Sequence, residues 1–559
     1  MQMKKWVSVG LGLAVATTTL LSGCADKGDS KEASGKSQQV TVNPAGQLPI
    51  TNEKTTIKVL VKGSPFVEDF SKNEFTKFLE EKTNIHIEWD VAPEKSATEK
   101  LNLVLGSGDL PDVIMGFGVS PTQQLIYGTQ GDFLDLTPYI DKYGVETKKM
   151  FEKVSGVKEA ITAPGGKIYA LPMVNECFHC SMSQKLWIYK PWLDKLGLAV
   201  PKTTDELYEV LKAFKTKDPN GNGKADEIPM AGAAVGPNVN IDSFIMNAFI
   251  LDSSANGVGQ NNWNRLFVNN GKVDVPYNKP EWKDGLAYLH KLYVEGLIAP
   301  QSFTQDRDQA RQMGENPDIN ILGAAIAQHN GVFTTFNGPS GRWLDVVAVP
   351  PLKGPKGVQI TPLNNSVGQG RFIITKASKN PEAAFRLADL LYNEEMTMRE
   401  TIGRLDVEWK YADKSELGIN GKPAIWKKTD VILPTVQNVS WSQTAPTLRT
   451  NDLRLGQVAD PKNPQETILY NQTKQNYEPY KQNLNTVLPQ MFFTNDQAME
   501  LADLEKTITD HVQEMIARFI IGDANLDKDW DGYLKNLENM NLKRYLEIYQ
   551  TAYDAKMKK

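Results

Sequence analysis

At 559 residues the chain is longer than one hydrophobic core usually organises, so at least two lobes are expected. Its 62 basic and 67 acidic residues leave a net charge of -5 with no basic block, which argues against nucleic acid as a partner. Hydrophobic residues make up 40%, as in a soluble globular protein.

Lys4 and Lys5 precede an apolar run from Trp6 to Leu21. That run is marginal for a membrane span, which needs about 20 apolar residues, and suits the apolar stretch of a signal peptide. It ends in Leu21-Ser22-Gly23-Cys24, the pattern of a bacterial lipobox. Small residues there admit a peptidase, and the thiol can take a diacylglyceryl group; the alternative is an ordinary signal peptide with a chance Cys. The expectation is a signal peptide over 1–23 and a lipid anchor at Cys24, on the outer face of the cell membrane. Residues 24–55, rich in Lys, Ser, Gly, Gln and Asp, read as a flexible tether that could not offset the entropy of folding. No later stretch is apolar enough to span a bilayer.

From Ile57 the pattern changes. Ile57, Val59 and Val61 alternate with Lys58 and Leu60 as in a strand, and Asn73 caps a short helix carrying Phe75, Phe78 and Leu79. Ile85, Ile87 and Trp89 alternate again, a helical run covers Ala97 to Leu105, and a breaker at Asp109 to Pro111 precedes Val113-Ile114-Met115. Strand, helix, strand, helix, strand is the rhythm of a parallel α/β sheet.

Cys177-Phe178-His179-Cys180 holds the Cys residues other than Cys24. A structural zinc site needs four ligands and no second Cys pair exists. A small disulfide, free thiols and a redox role stay open, the disulfide being favoured by an oxidising compartment.

Asp218-Pro219-Asn220-Gly221-Asn222-Gly223-Lys224-Ala225-Asp226-Glu227 follows a helical run from Asp205 to Lys215. Oxygen-bearing side chains fall at positions 1, 3, 5 and 9 of an EF-hand loop, with Gly at 6 for the turn. Position 12, normally a bidentate Glu, is Pro229, and Glu227 can supply the missing carboxylate. Asp218, Asn220, Asn222, Asp226, Glu227 and the Lys224 carbonyl make an all-oxygen set suited to Ca²⁺. A metal-free Asn-Gly turn is the alternative.

Further on, Asn380-Pro381 opens a helix with Ala384, Leu387, Ala388 and Leu391 on one face. Leu501, Leu504, Ile508, Val512, Met515 and Phe519 make a long amphipathic helix that Gly522 stops. Leu542, Tyr545, Leu546, Tyr549, Ala552 and Tyr553 make a last one.

Several of these segments resemble the family 1 extracellular solute-binding proteins of ABC importers. They are Ser107 to Ile114, Asp135-Leu136-Thr137-Pro138-Tyr139-Ile140, Gly166-Lys167-Ile168-Tyr169-Ala170-Leu171-Pro172, Leu186 to Leu193 and Tyr545 to Asp554. The likeness runs from about Thr56 to Asp554 and is greatest to the large lipoproteins that include alginate-oligosaccharide binders. It implies two α/β lobes, a hinge and a ligand cleft between them. It further implies a monomer that captures a carbohydrate and passes it to membrane permease subunits. By analogy with maltose-binding proteins, lobe 1 would comprise 56–176 and 352–400, and lobe 2 would comprise 177–351 and 401–559. The resemblance also suggests Glu227 as a ligand of the metal loop, whose place beyond the first crossing makes calcium structural.

Ligands in such sheets sit beyond the carboxyl ends of the strands. That rule turns the loop after Met115, with Phe117, toward the cleft; loops at the expected lobe edges add Asn175 and Glu176 after the first crossing, and His329, Asn330 and Phe333 in a Gly/Asn-rich loop. Trp409 and Trp441 lie in turn-rich segments with no periodicity that demands burial. Trp441, among small polar neighbours, is similar in its location to a sugar-stacking Trp of the alginate binders and is the first expectation for a stacking face. Core packing is the alternative for each aromatic, and Trp187 and Trp192, inside a scaffold motif, are expected to be structural. A peptide binder and an extracellular polysaccharide-degrading enzyme are the competing classes. The latter needs positioned acids, and no nucleophile motif or zinc helix accompanies the 67 carboxylates.

Overall fold

The computed structural model describes residues 40–236, 238–254, 264–429 and 435–558. The signal segment, Cys24 and most of the expected tether lie outside them. Residues 40–558 belong to one compact unit, built on two sheets.

The larger sheet has six strands, in the order Leu448–Arg449, Leu171–Asn175, Val367–Ile374, Val113–Met115, Thr55–Lys62, Ile85–Ala92. The strands from Thr55, Ile85 and Val113 pair in parallel, as their alternation with helices implies. Ile57, Val59 and Val61 face one core, and Leu60 faces another across the sheet with Ile114 and Ile373. The helices follow their sequence signals. Asn73 accepts from the Phe75 amide, and the helix Asn495–Ile521 buries Leu501, Ile508, Val512, Met515 and Phe519 before stopping at Gly522 with φ 86°.

Val367–Ile374 is antiparallel to both of its neighbours, a departure from the parallel sheet expected. The chain leaves this sheet at the carboxyl end of Leu171–Asn175 and re-enters it at the same end, so the returning strand must run the other way. The smaller sheet, in the order Val346–Val349, Leu186–Tyr189, Leu322–Ile326, Ile228–Ala231, is parallel only in its last pair. Its core holds Trp187 and Trp192 and takes in the C-terminal helices. The architecture is the two-lobed α/β one.

Two of the expected boundaries move. Residues 40–55 are not all tether: Ile50 and Thr51 are fully buried, and Val42 bridges Thr51. Arg386 donates to the carbonyls of Asn43, Pro44 and Gln47. A charged group that satisfies a turn's carbonyls lets a polar segment pack. The final passage into the second lobe also comes later than 401. Trp441, Ala445 and Leu448 belong to the core of the large sheet, and Leu448 pairs in parallel with Val174. The chain reaches the small sheet with the helix Gln465–Asn476, where Gln472 accepts from the Ala348 amide at 2.9 Å and Asn476 donates to its carbonyl at 3.0 Å. Among the described residues no helix is long and apolar enough to cross a membrane.

Candidate functional site

Where the segments between the sheets meet, a cavity of about 750 Å³ opens, lined among others by Asn175, Glu176, Phe178, Gln328, Asn364 and Asn451. Each crossing contributes. The Asn175 amide donates to Ser366, the Glu176 amide to Arg449, and Asn364 donates to Cys180 O at 2.9 Å and Ser183 Oγ at 2.7 Å. Cys177 and Cys180 are joined as a disulfide, so the grouping of Cys177, His179 and Cys180 offers no thiolate to a metal. Under this loop the Lys185 ammonium is wholly buried. It donates to the carbonyls of His179 (2.7 Å) and Met182, lies 5.1 Å from the Tyr477 ring, and burial draws its pKa down to about 7.

The loop so held presents Phe178, paired with Tyr470 at 5.1 Å between centroids, and His179. His179 Nε2 is 3.8 Å from a Glu466 oxygen, and Arg454 Nη2 reaches the same oxygen at 3.8 Å. Arg454 Nη1 donates to Asn175 Oδ1 at 2.9 Å, and Glu176 accepts from the Asn451 amide at 3.0 Å. Burial lowers His179 to about 3 and His329 to about 4, so both imidazoles are neutral near pH 7. Burial pushes Glu466 the other way, yet its pKa still lies below the usual carboxylate range because His179, Arg454, Lys428 and Arg449 outweigh it. With His179 neutral, the arginines and the lysine keep Glu466 ionised.

The expected ligand-binding residues divide. Asn175 and Glu176 line the cavity. His329, stacked on Phe336 at 5.5 Å, faces the same charges. Phe117 is half-buried against the core beside Leu60 and Ile114. The others turn inward. Trp441 is 1% exposed, edge-on to Phe75 and Trp89, and donates its indole N–H to Thr76 at 2.9 Å. Trp409 is as buried and packs with Trp426, Met398 and Leu453. Phe333 is in the core of the small sheet, and Asn330 donates to Trp343 O from a buried position. None of these side chains has a face left for a sugar: turn-rich sequence displays no period, but the chain there still folds its rings inward.

The loop from Asp218 to Glu227 closes on itself. Asp218 accepts from the amides of Gly221, Asn222 and Gly223 at 2.9 to 3.1 Å. The side-chain amides of Asn220 and Asn222 donate to Asp226 at 2.8 and 2.9 Å. Glu227 Oε1 is buried without a hydrogen-bond partner among the described residues, and burial, with Asp218 and Asp226 nearby, raises its pKa. An orphaned carboxylate oxygen beside two further carboxylates fits a hard cation.

The sequence matches the family described as bacterial extracellular solute-binding protein over residues 59–398. The chain belongs to this family. It is 30% identical, over 97% of each chain, to the fructooligosaccharide ABC transporter substrate-binding protein FusA of Streptococcus pneumoniae. The solved structure of S. pneumoniae FusA in complex with kestose superposes with a TM-score of 0.72 at 28% identity, covering 89% of this chain and 99% of that one. A FusA EF-hand mutant in complex with fructo-nystose gives 0.71 at 28% identity over the same shares. As a solute-binding protein the chain is a binder and not an enzyme, which gives the cavity between its crossings a natural use. Sequence reasoning missed Phe178, His179, Lys428, Arg449, Arg454, Glu466 and Tyr470. The Cys177-to-Cys180 motif flagged the first two but suggested only sulfur and metal chemistry. The others are hundreds of positions away, with no local pattern to join them.

Proposed function

We propose that this protein captures an oligosaccharide outside the cell and delivers it to the permease subunits of an ABC importer. The observation that carries the reading is the cavity at the crossings, where Phe178, backed by the Tyr470 ring, lines the wall together with Asn175, Glu176, Asn364 and Asn451. Ring faces bury the C–H patches of sugars while Asn175, Glu176, His329 and Asn451 pair with hydroxyls. Closure of the lobes follows from the sugar's better contacts with the closed state. The FusA relative, named for fructooligosaccharides, supports the carbohydrate class. The test is calorimetric titration with fructooligosaccharides and a panel of plant and bacterial oligosaccharides, with product analysis after incubation. Binding without cleavage is expected. Cleavage would restore the enzyme class, and no binding across the panel would overturn the carbohydrate reading.

Two further parts belong to this reading. Cys24 anchors a monomeric protein to the membrane through lipid, with the polar residues that follow it as the tether. The carboxylates of Asp218, Asp226 and Glu227, the amide oxygens of Asn220 and Asn222 and the Lys224 carbonyl would hold Ca²⁺. The ion would supply charge neutralisation and stiffness to that loop and take no part in ligand capture. The EF-hand mutant made of FusA supports such a site.

A further inference from the structure

Resting on the carbohydrate reading of this cleft, we propose that its ligand is an acidic oligosaccharide whose carboxylate is held by Arg449, Arg454 and Lys428. Arg454 lies 3.8 Å from Glu466 and donates to Asn175, and Arg449 pairs in register with Asn175 on the neighbouring strand, so two guanidiniums gather beside one carboxylate, on which the Lys428 charge also acts. Counting Glu176, which faces the Asn451 amide, still leaves an excess of positive charge. Glu400 does not cancel it. It is fully buried, its pKa is raised to about 7, its carboxylate accepts from the Ala445 amide, and it also faces Arg371.

The cations are also poorly satisfied. Among the described residues, Arg449 makes one side-chain hydrogen bond, to Gln443, and Arg454 one, to Asn175. The nearest approach of Arg454 to Glu466 is 3.8 Å, too long for a hydrogen bond. Among the described residues the Lys428 side chain makes no hydrogen bond or ion pair, and partial burial of its ammonium lowers its pKa. A guanidinium carries five donors in a planar fork. Most of those on Arg449 and Arg454 are thus without a protein partner among the described residues, beside Asn175, which lines the cavity. The two arginines also repel: burial first, then Arg454, brings Arg449 down to about 9. Like charges kept together in a crevice, with donors to spare, are costly in the free protein, and a planar anion removes that cost by forming charge-assisted pairs. A neutral sugar cannot do so. The Phe178–Tyr470 pair then takes the ring that bears the carboxylate, or its neighbour.

The experiment titrates the full exported protein with trimers of galacturonate, glucuronate and mannuronate, each beside its carboxyl-reduced neutral counterpart, at low and raised sodium chloride. Fructooligosaccharides complete the panel. At least one acidic trimer should bind ten-fold or more tighter than its neutral form, the ratio shrinking as salt rises. Lys428→Gln, at an exposed position, and Arg454→Gln should each cut that ratio several-fold, while Glu466→Gln should widen it; circular dichroism checks the fold of each. Neutral trimers or fructooligosaccharides binding as well as or better than every acidic trimer would overturn this inference and leave the proposed function standing. An acidic preference untouched by all three substitutions would overturn the assignment to these residues. No binding by any member would overturn both readings.

Discussion

The metal loop and the ligand cleft are both polar clusters of the same molecule, built in opposite ways. The loop from Asp218 to Glu227 is continuous: Asp218 gathers the amides of its own next turn, and the loop needs nothing from the far lobe to take its shape. The cleft is discontinuous. Asn175 and His179 come from one crossing, His329 from the small sheet, Arg449 from the edge of the large sheet, and Glu466 from the helix that leads back. A continuous cluster can be tuned without touching the fold, whereas a discontinuous one depends on the cores that bring its parts together and shifts when they shift. That is the arrangement a binding protein needs if ligand contact is to bias the relation between its lobes.

The largest expected effect tests that dependence. Trp441→Ala empties a fully buried site between Phe75 and Trp89 and removes the bond to Thr76. It should destabilise the protein by about 3–5 kcal/mol, as aromatic-to-Ala changes in cores do. Chemical denaturation measures it; a loss under 1 kcal/mol would mean that the ring is not core.

Removing calcium comes next. At free calcium 100-fold above the dissociation constant, the loop should add about 2.7 kcal/mol of stability. A chelator should therefore lower the melting temperature of the wild type and leave Asp218→Ala unchanged. If the comparison holds, ligand affinity should barely respond to either. Equal chelator effects on both proteins would reject this site.

The pH dependence probes the support beneath the cleft. Glu400 has its pKa raised by burial to about 7 from an ordinary 4.5. The folded state then binds the extra proton, so its contribution to stability is full below about pH 4.5 and is lost as pH rises through about 7. Glu400→Gln should remove that loss, worth up to about 3 kcal/mol between those limits. His179 and His329, both lowered by burial, act oppositely, gaining stability as pH rises toward 6.5. The difference between wild type and variant isolates Glu400, and parallel stability curves would contradict it.

The smallest effect is on ligand binding alone. Phe178→Ala should weaken an identified oligosaccharide by about 1–3 kcal/mol, by analogy with base stacking on aromatics, with little change in stability because the ring is only half-buried. Calorimetry at fixed calcium decides it.

The same contrast explains what could be read in advance. The strands at Ile57, Ile85 and Val113, the helices ending at Gly522 and near Met557, and the metal loop are written in contiguous patterns of period, cap and ligand spacing. Asn175 and Glu176, which line the cavity, were reachable because they directly follow the first crossing between the lobes. Trp409 and Trp441 misled because a ring in a turn-rich stretch carries no periodic signal of which way it points. Arg454 and Glu466 were invisible because nothing local distinguishes a charge bound for solvent from one bound for a crevice. The antiparallel entry of Val367–Ile374 follows from where the chain crosses, which no single strand encodes.

The central claim is that the sugar occupies the cavity at the crossings. The measurement that tests it most directly is a crystal structure of the complex with the tightest ligand found by titration. The account predicts density for the sugar against Phe178 and Tyr470, within hydrogen-bonding reach of Asn175 and Arg454. Sugar lying instead in the second cavity, of about 680 Å³ beside Leu125, Phe492 and Ala552, would contradict it.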